Sequence, residues 1–223
     1  NGRFLAFYRK VESMVTNYPL VDISKRIAVV ENTRYPMAGM KSEQVTLGIF
    51  DIKERKTIFI NTGEPKDQYL TSVTWDPSEK YIYIGILNRE QNHLRLNKYD
   101  ALTGEFVYNL FEEKNDKYVE PENPICFLNT TSSQFLWFSE RDGYQHLYLY
   151  NISGHMVKQL TSGNWVVTEL IGIDEDDKFV YFLGTKDSPL EQNIYSVEIR
   201  TGNIIRISKD HGTHNGLLSH SGE

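Results

Sequence analysis

Among the residues that could take part in catalysis or metal binding, three histidines stand out by their spacing. His211, His214 and His220 lie three and six residues apart, which can suit a metal ion. They straddle a glycine-containing link, however, and no carboxylate cluster accompanies them in sequence. The pattern therefore does not favour a metal site, and we expect neither a metal nor a cofactor.

The usual nucleophiles are not indicated either. Cys126 is the only cysteine, so the chain can form no internal disulfide and a thiolate metal site is implausible. Its neighbours Ile125 and Phe127 are apolar and predict a buried strand position rather than a reactive thiol. The motif Gly-x-Ser-x-Gly, which presents a nucleophilic serine, does not occur in the sequence. Hence no catalytic residue is predicted here.

One adjacent acidic pair, Glu112 and Glu113, ends a predicted strand. Paired carboxylates can bind an ammonium group or act in acid–base chemistry. At a strand end, however, we interpret them as a solvated edge.

The elements that position these residues repeat along the chain. Each copy has two aromatic strands around a polar turn, followed by two strands around a turn rich in Asn, Asp and Gly. The equivalent aromatics Tyr81, Phe135 and Phe179 are 54 and 44 residues apart. This is close to the roughly 40 to 50 residues of a four-stranded propeller blade. The predicted strands of the three clearest copies are 70–75, 81–87, 94–100 and 105–111; 125–128, 134–139, 146–150 and 156–160; and 167–173, 178–183, 194–199 and 204–208.

The pattern predicts an all-β fold, a partial β-propeller. Apolar residues at nearly every strand position, as in 81–84, suit strands buried on both faces. Gly, Asn and Asp supply the positive φ angles of tight turns. We predict about four four-stranded blades, at about 1–62, 63–113, 118–163 and 164–210, and the start of another at 211–223.

Both ends of the chain interrupt a repeat, so we expect an excerpt from a longer protein. Residues 1–8 look like the turn and second strand of a blade, and residues 216–223 look like a first strand and turn. Unpaired strands attract partners. We therefore expect the strand at 216–219 to pair with residues 3–8 of the same or another copy.

Residues 9–44 break the repeat. Segments 20–23 and 26–30 are apolar or alternating, which predicts an extended hairpin arm in the first blade. The exposed apolar side chains of such an arm are expected to be buried against another surface. We expect this surface to belong to a partner subunit or to a neighbouring domain.

The charge and the hydrophobic pattern of the chain bear on two classes of interaction, with nucleic acids and with membranes. A formal net charge of -6 and a pI near 5.6 speak against a nucleic-acid partner. No apolar run of about 18 residues is present, so no membrane span is predicted in this sequence.

An ordered set of motifs runs along essentially the whole chain. It includes residues 4–7 (FLAF), 35–39 (YPMAG), 139–144 (SERDGY), 146–148 (HLY) and 163–168 (GNWVVT). With these motifs, the chain resembles the N-terminal propeller domain of dipeptidyl peptidase IV and its bacterial relatives in the prolyl oligopeptidase superfamily.

The resemblance implies a serine exopeptidase that releases dipeptides, preferentially after proline or alanine, from a free amino end. In such enzymes an eight-bladed propeller caps an α/β-hydrolase domain that holds the Ser, His and Asp, and gates access to it. That domain is absent from this sequence. The family's glutamate pair for the substrate ammonium would lie upstream of Asn1, so its role is not transferred to Glu112 and Glu113. The resemblance further implies a homodimer in the full-length protein and a periplasmic, cell-surface or secreted location.

Four residues are candidates for lining the substrate pocket. Tyr118 and Glu120 fall in a segment that, by the resemblance, reaches toward the second residue of the substrate. Alternatively, this segment only links two blades. Arg9 and Glu12 emerge beside the missing glutamate pair and have the same two interpretations. Two other functions remain open: a non-catalytic binding scaffold and a prolyl tripeptidyl peptidase.

Overall fold

The computed structural model describes residues 2–219, and within them it contains strands, turns and loops but no helix. No segment of this part of the chain is a helix able to span a membrane. The strands are β1 (Phe4–Val11), β2 (Asn17–Asp22), β3 (Val29–Arg34), β4 (Gln44–Asp51), β5 (Lys56–Phe59), β6 (Tyr69–Trp75), β7 (Tyr81–Leu87), β8 (His93–Asp100), β9 (Phe106–Lys114), β10 (Cys126–Phe127), β11 (Gln134–Ser139), β12 (His146–Asn151), β13 (Met156–Gln159), β14 (Val167–Ile173), β15 (Phe179–Gly184), β16 (Asn193–Glu198) and β17 (Ile204–Arg206).

The strands form a partial β-propeller, as the repeat predicts. The first sheet has the order β1-β4-β5, and three four-stranded antiparallel sheets follow in chain order: the second (β6 to β9), the third (β10 to β13) and the fourth (β14 to β17). Such sequential meanders are the blades of propellers. The strands predicted at 81–87, 134–139 and 167–173 are found with those bounds.

The core lies between successive sheets. In β11, Phe135 and Trp137 pack toward the second sheet, whereas Leu136 and Phe138 join the cluster shared with the fourth sheet. Successive side chains of a strand point to opposite faces. A strand that is buried on both faces therefore needs apolar residues at consecutive positions, which explains the aromatic-rich sequence.

The close contact between the second and third sheets also requires glycine at one position. Gly154, in the turn after β12, has a φ of 88°. A Cβ atom at this position would collide with the carbonyl oxygen of Leu110 in the second sheet. Glycine is required here by both the backbone angle and the available space.

The predicted arm is a two-stranded hairpin, β2 paired with β3 over six positions. Val15 is buried at its root, but nearly all residues of the two strands are exposed. The apolar side chains Leu20, Val21 and Ile23 are 51%, 59% and 83% exposed.

The expected pairing of residues 216–219 with β1 does not occur within the described part of the chain. Residues 211–219 form no strand, and β1 pairs with β4. Leu218 instead packs against Gly172 of β14, where the lack of a side chain leaves room for it. The fourth sheet thus supplies a nearby apolar surface. Pairing with another copy stays a prediction, and residues 220–223 lie outside the described residues.

Candidate functional site

A cavity of about 460 Å³ lies where the second sheet meets the third. Residues from the end of β9 form one side and residues from the end of β11 with its following turn form the other. The connection between β9 and β10 passes along it. The lining residues are Glu112, Glu113, Lys114, Asn115, Lys117, Tyr118, Val119, Glu120, Pro121, Trp137, Phe138, Ser139, Glu140, Arg141 and Gly143.

Residues 115–121, which we call the strap, carry Tyr118 and Glu120. Val119 between them packs into the hydrophobic cluster of the second and third sheets. Tyr118 and Glu120 are exposed. The packing of Val119 against this cluster holds the strap in place, so that Tyr118 and Glu120 line the cavity together with Val119.

The strap is tied to the second sheet at its far end as well. Thr71 Oγ1 in β6 donates a hydrogen bond of 2.7 Å to the Pro121 carbonyl oxygen. Because Pro121 has no N–H group, its carbonyl is the only backbone group through which it can be held. The strap is consequently a fixed wall of the cavity.

Glu113 lines the cavity and connects its two sides. Its carboxylate accepts hydrogen bonds from Trp137 Nε1 at 2.8 Å and Ser139 Oγ at 3.0 Å, and it forms an ion pair with Arg141. The Glu113 side chain is only 11% exposed. Trp137 and Ser139 belong to β11 and Arg141 to the turn after it, so this carboxylate joins two blades. The interpretation of Glu113 as a solvated edge is wrong.

Its neighbour Glu112 does lie at the surface. The Glu112 side chain is 41% exposed and forms ion pairs with His93 at 2.8 Å and Lys114 at 3.1 Å. Hydrogen bonds from His93 and Lys114 lower the pKa of Glu112. The difference between the two glutamates follows from strand alternation, which turns consecutive residues of β9 to opposite faces.

Arg141 is held on several sides. Its guanidinium lies 4.4 Å from the centroid of the Tyr148 ring, and one N–H donates to Tyr150 Oη at 2.6 Å. Its Nε donates to Ser139 Oγ at 3.0 Å. With the Glu113 pair, these contacts occupy most of its donors, so Arg141 stiffens the wall rather than offering a free cation.

The carboxyl group of Glu140, in the cavity lining, is influenced by its surroundings. Burial raises the pKa of Glu140, and the charges of Glu120 and Glu122 raise it further. Tyr118 provides an exposed aromatic ring in the same lining, whereas the ring of Trp137 is buried. Carboxylates and ring faces both attract cations, so the lining can receive an ammonium or another cationic group.

The structure separates the four predicted pocket residues. Tyr118 and Glu120 share the cavity, whereas Arg9 and Glu12 belong to the first sheet and the start of the arm. The Arg9 guanidinium stacks 3.9 Å from the centroid of the Phe59 ring, and Glu12 pairs with Lys10 at 3.1 Å. A pocket role for Arg9 and Glu12 stays a prediction.

The remaining candidates occupy other surroundings. His211 contacts Glu191 at 3.2 Å and His214 contacts the Asp210 carbonyl oxygen at 3.0 Å, while His220 lies outside the described residues. Among residues 2–219, no three His, Cys, Asp or Glu side chains are grouped to hold a metal ion.

Cys126 is partly buried in β10 beside the cluster of the third and fourth sheets. Burial raises the pKa of its thiol, and the charge of Asp177 adds to this. The thiolate is the reactive form of cysteine, so these surroundings disfavour a nucleophile at this position.

Comparison with known proteins gives consistent matches. The family model for the dipeptidyl peptidase IV (DPP IV) N-terminal region matches residues 1–223. A crystal structure of a protein from Bacteroides ovatus, provisionally assigned as a dipeptidyl aminopeptidase IV, superposes with a TM-score of 0.89 at 42% identity, over 99% of this chain and 34% of that one. Porphyromonas gingivalis dipeptidyl peptidase 4 gives a TM-score of 0.81 at 28% identity, over 95% and 30%.

A curated relative matches along the full chain. Dipeptidyl-aminopeptidase B of Aspergillus niger is 26% identical over 259 residues, covering 100% of this chain and 29% of the relative. The chain thus spans about a third or less of the length of these proteins.

Proposed function

The chain belongs to the family of the dipeptidyl peptidase IV N-terminal region, and on this premise we propose that it is the non-catalytic propeller portion of a dipeptidyl peptidase IV-like serine exopeptidase. The whole protein releases X-Pro and X-Ala dipeptides from the free amino end of peptides. Its Ser, His and Asp reside in an α/β-hydrolase domain that the propeller caps. Membership of the family and the dipeptidyl peptidase names of its relatives support this assignment.

The observation that carries a binding role is the cavity between the second and third sheets. Tyr118 and Glu120, on a strap fixed by its own contacts, meet Glu140 there. A peptide with a free amino end presents an ammonium group, which such a lining attracts. In this proposal the cavity helps to hold the amino-terminal part of the substrate, while the propeller limits entry to short or unfolded peptides.

The arm supplies the proposed partner surface. Its exposed apolar residues Leu20 and Val21 lie in the paired strand β2, and Ile23 follows directly after it. Burial of such a surface against a second copy would stabilise a homodimer of the full-length protein. A periplasmic, cell-surface or secreted location goes with this proposal, because extracytoplasmic peptides are its expected substrates.

A chromogenic Gly-Pro substrate tests the assignment. We expect the full-length protein to hydrolyse it and residues 1–223 alone not to. In the full-length protein, Tyr118→Ala and Glu120→Gln should each raise KM by about threefold to tenfold with little change in kcat, because they remove binding contacts. Turnover by residues 1–223 would contradict placing the chemistry in the hydrolase domain.

A second experiment on the full-length protein separates this proposal from the two alternatives, a prolyl tripeptidyl peptidase and a non-catalytic binding scaffold. Mass spectrometry of the products from an Ala-Ala-Pro-Phe peptide and a Gly-Pro-Phe peptide distinguishes tripeptide from dipeptide release. A full-length protein that binds these peptides without cleaving them is a scaffold. Either outcome would replace the dipeptidyl peptidase assignment.

A further inference from the structure

The strap has a further support in the turn that joins β7 to β8. We propose that Asn88 in this turn is a positioning residue for the cavity: it holds the strap in place and so controls peptide binding without touching the peptide. The predicted effect of Asn88 on peptide binding rests on the proposed function, whereas its predicted effect on the position of the strap does not.

The Asn88 side chain closes the turn at residues 88–92. Its Oδ1 accepts hydrogen bonds from the backbone N–H groups of Asn92 and His93, both at 2.9 Å. Its Nδ2 donates to Asn92 Oδ1 at 2.8 Å and to Glu90 at 3.1 Å. Gln91 within the turn has a φ of 57°, which non-glycine residues adopt only when the surroundings enforce it. The side chain of Asn88 thus organises the turn from inside.

The organised turn then binds the strap. The Gln91 carbonyl oxygen accepts a hydrogen bond from Val119 N–H at 2.8 Å, and the Asn92 carbonyl oxygen accepts one from Asn115 N–H at 3.0 Å. Both carbonyls belong to the turn, so their orientation depends on its backbone conformation. Backbone hydrogen bonds from Asn88 N–H to the His93 carbonyl oxygen and from Gln91 N–H to the Asn88 carbonyl oxygen, both at 3.0 Å, help to close the turn, and the Asn88 side chain adds its four hydrogen bonds to them.

The contacts connect Asn88 to the cavity through one intermediate. Val119 is the strap residue anchored in the core, and it separates Tyr118 from Glu120. If the bond to Val119 N–H is lost, the two cavity side chains lose their fixed positions. Asn88 is not among the residues that line the cavity. It lines an adjoining hollow together with the strap residues Asn115 and Lys117, so its influence on the cavity is exerted through the strap.

The test compares three variants of the full-length protein. Asn88→Ala removes all the side-chain hydrogen bonds, whereas Asn88→Asp keeps the acceptor for Asn92 and His93. Asn151→Ala is the matched control, because Asn151 closes the turn after β12 in the same way, by accepting from Ser153 N–H at 3.1 Å and His155 N–H at 3.0 Å. Hydrogen–deuterium exchange of peptides covering 114–122 is measured together with KM and kcat on the Gly-Pro substrate.

We expect exchange in 114–122 to become about tenfold faster in Asn88→Ala, with an intermediate effect in Asn88→Asp and none in Asn151→Ala. KM should rise by about threefold to tenfold in Asn88→Ala while kcat stays near the wild-type value. Unchanged exchange in the strap would overturn the positioning role. Faster exchange with an unchanged KM would overturn its link to the peptide site. An inactive wild-type protein would contradict the proposed function alone, because the exchange result would still decide the role of Asn88 in the strap.

Discussion

Two hairpins of this chain have the same backbone pairing and opposite surroundings. The arm hairpin β2–β3 and the third-sheet hairpin β11–β12 each pair over six positions. Nearly every residue of β11 and β12 is buried, whereas nearly every residue of β2 and β3 is exposed. A hydrogen-bonded ladder can therefore form in either setting, and the packing of neighbouring sheets supplies the burial that makes a blade stable.

The comparison also separates two structural roles, support of the cavity and presentation of an exposed apolar surface. The buried hairpin supports the cavity through Trp137, and its tight packing fixes the geometry there. The arm contributes little to the core and presents apolar side chains outward. Substitution of residues that hold the cavity should therefore lower the free energy of unfolding, whereas substitution of exposed residues in the arm should change it little.

The largest predicted effect uses one leucine from each hairpin. Leu136 in β11 is 1% exposed, and Leu20 in β2 is 51% exposed. We expect Leu136→Ala to lower the free energy of unfolding by about 2–5 kcal/mol, because it leaves a cavity between the third and fourth sheets. Leu20→Ala should change it by less than about 0.5 kcal/mol. Urea denaturation measures both, and equal losses would break the comparison.

A smaller effect distinguishes two neighbouring glutamates of β9. Glu113→Gln leaves Arg141 without its carboxylate, so we expect a loss of about 1–3 kcal/mol in the free energy of unfolding. Glu112→Gln, at the exposed edge, should cost less than about 1 kcal/mol. Thermal unfolding of both variants checks this. Similar losses would mean that the contacts of Glu113 with the third sheet do not stabilise the fold.

The smallest predicted effect is in the pH dependence of two carboxylates. The pKa of Glu140 is raised in the folded state, mainly by burial, so ionisation opposes folding there. Its stabilising contribution is present at low pH and is lost as pH rises through the folded pKa. The pKa of Glu112 is lowered by His93 and Lys114, so its contribution is present above the unfolded pKa and is lost as pH falls through the folded pKa.

Substitution by glutamine should therefore give opposite trends between about pH 3 and 7. Relative to the wild type, Glu140→Gln should gain stability as pH rises, and Glu112→Gln should lose it. Each change should stay below about 1 kcal/mol, since both groups retain contact with water. Denaturant titrations across this range measure the two trends, and parallel trends would contradict the assigned surroundings.

Prediction from sequence succeeded where a local pattern determines the structure. Strand β7 was predicted with its observed bounds, because apolar residues at consecutive positions identify a strand buried on both faces. In the arm, a hairpin was expected but the strands at 17–22 and 29–34 differ from the segments 20–23 and 26–30. Both faces of the arm are exposed, so the side-chain pattern does not determine its register.

The site was less predictable because its contacts are distant in sequence. The donors to Glu113 lie in the next blade, in β11 and the turn after it, and only the packing of two blades brings them together. In sequence, Asn88 likewise cannot be distinguished from other turn residues, because only the folded structure places the strap against its turn. Tyr118 and Glu120 were suggested by resemblance rather than by pattern.

The most direct test of the proposed peptide site is a crystal structure of the full-length protein with an uncleaved Xaa-Pro peptide bound. We predict that the amino-terminal part of the peptide lies within about 4 Å of Tyr118 or Glu120, in the cavity between the second and third sheets. A peptide bound with both side chains out of contact would contradict the assignment of this cavity to substrate binding.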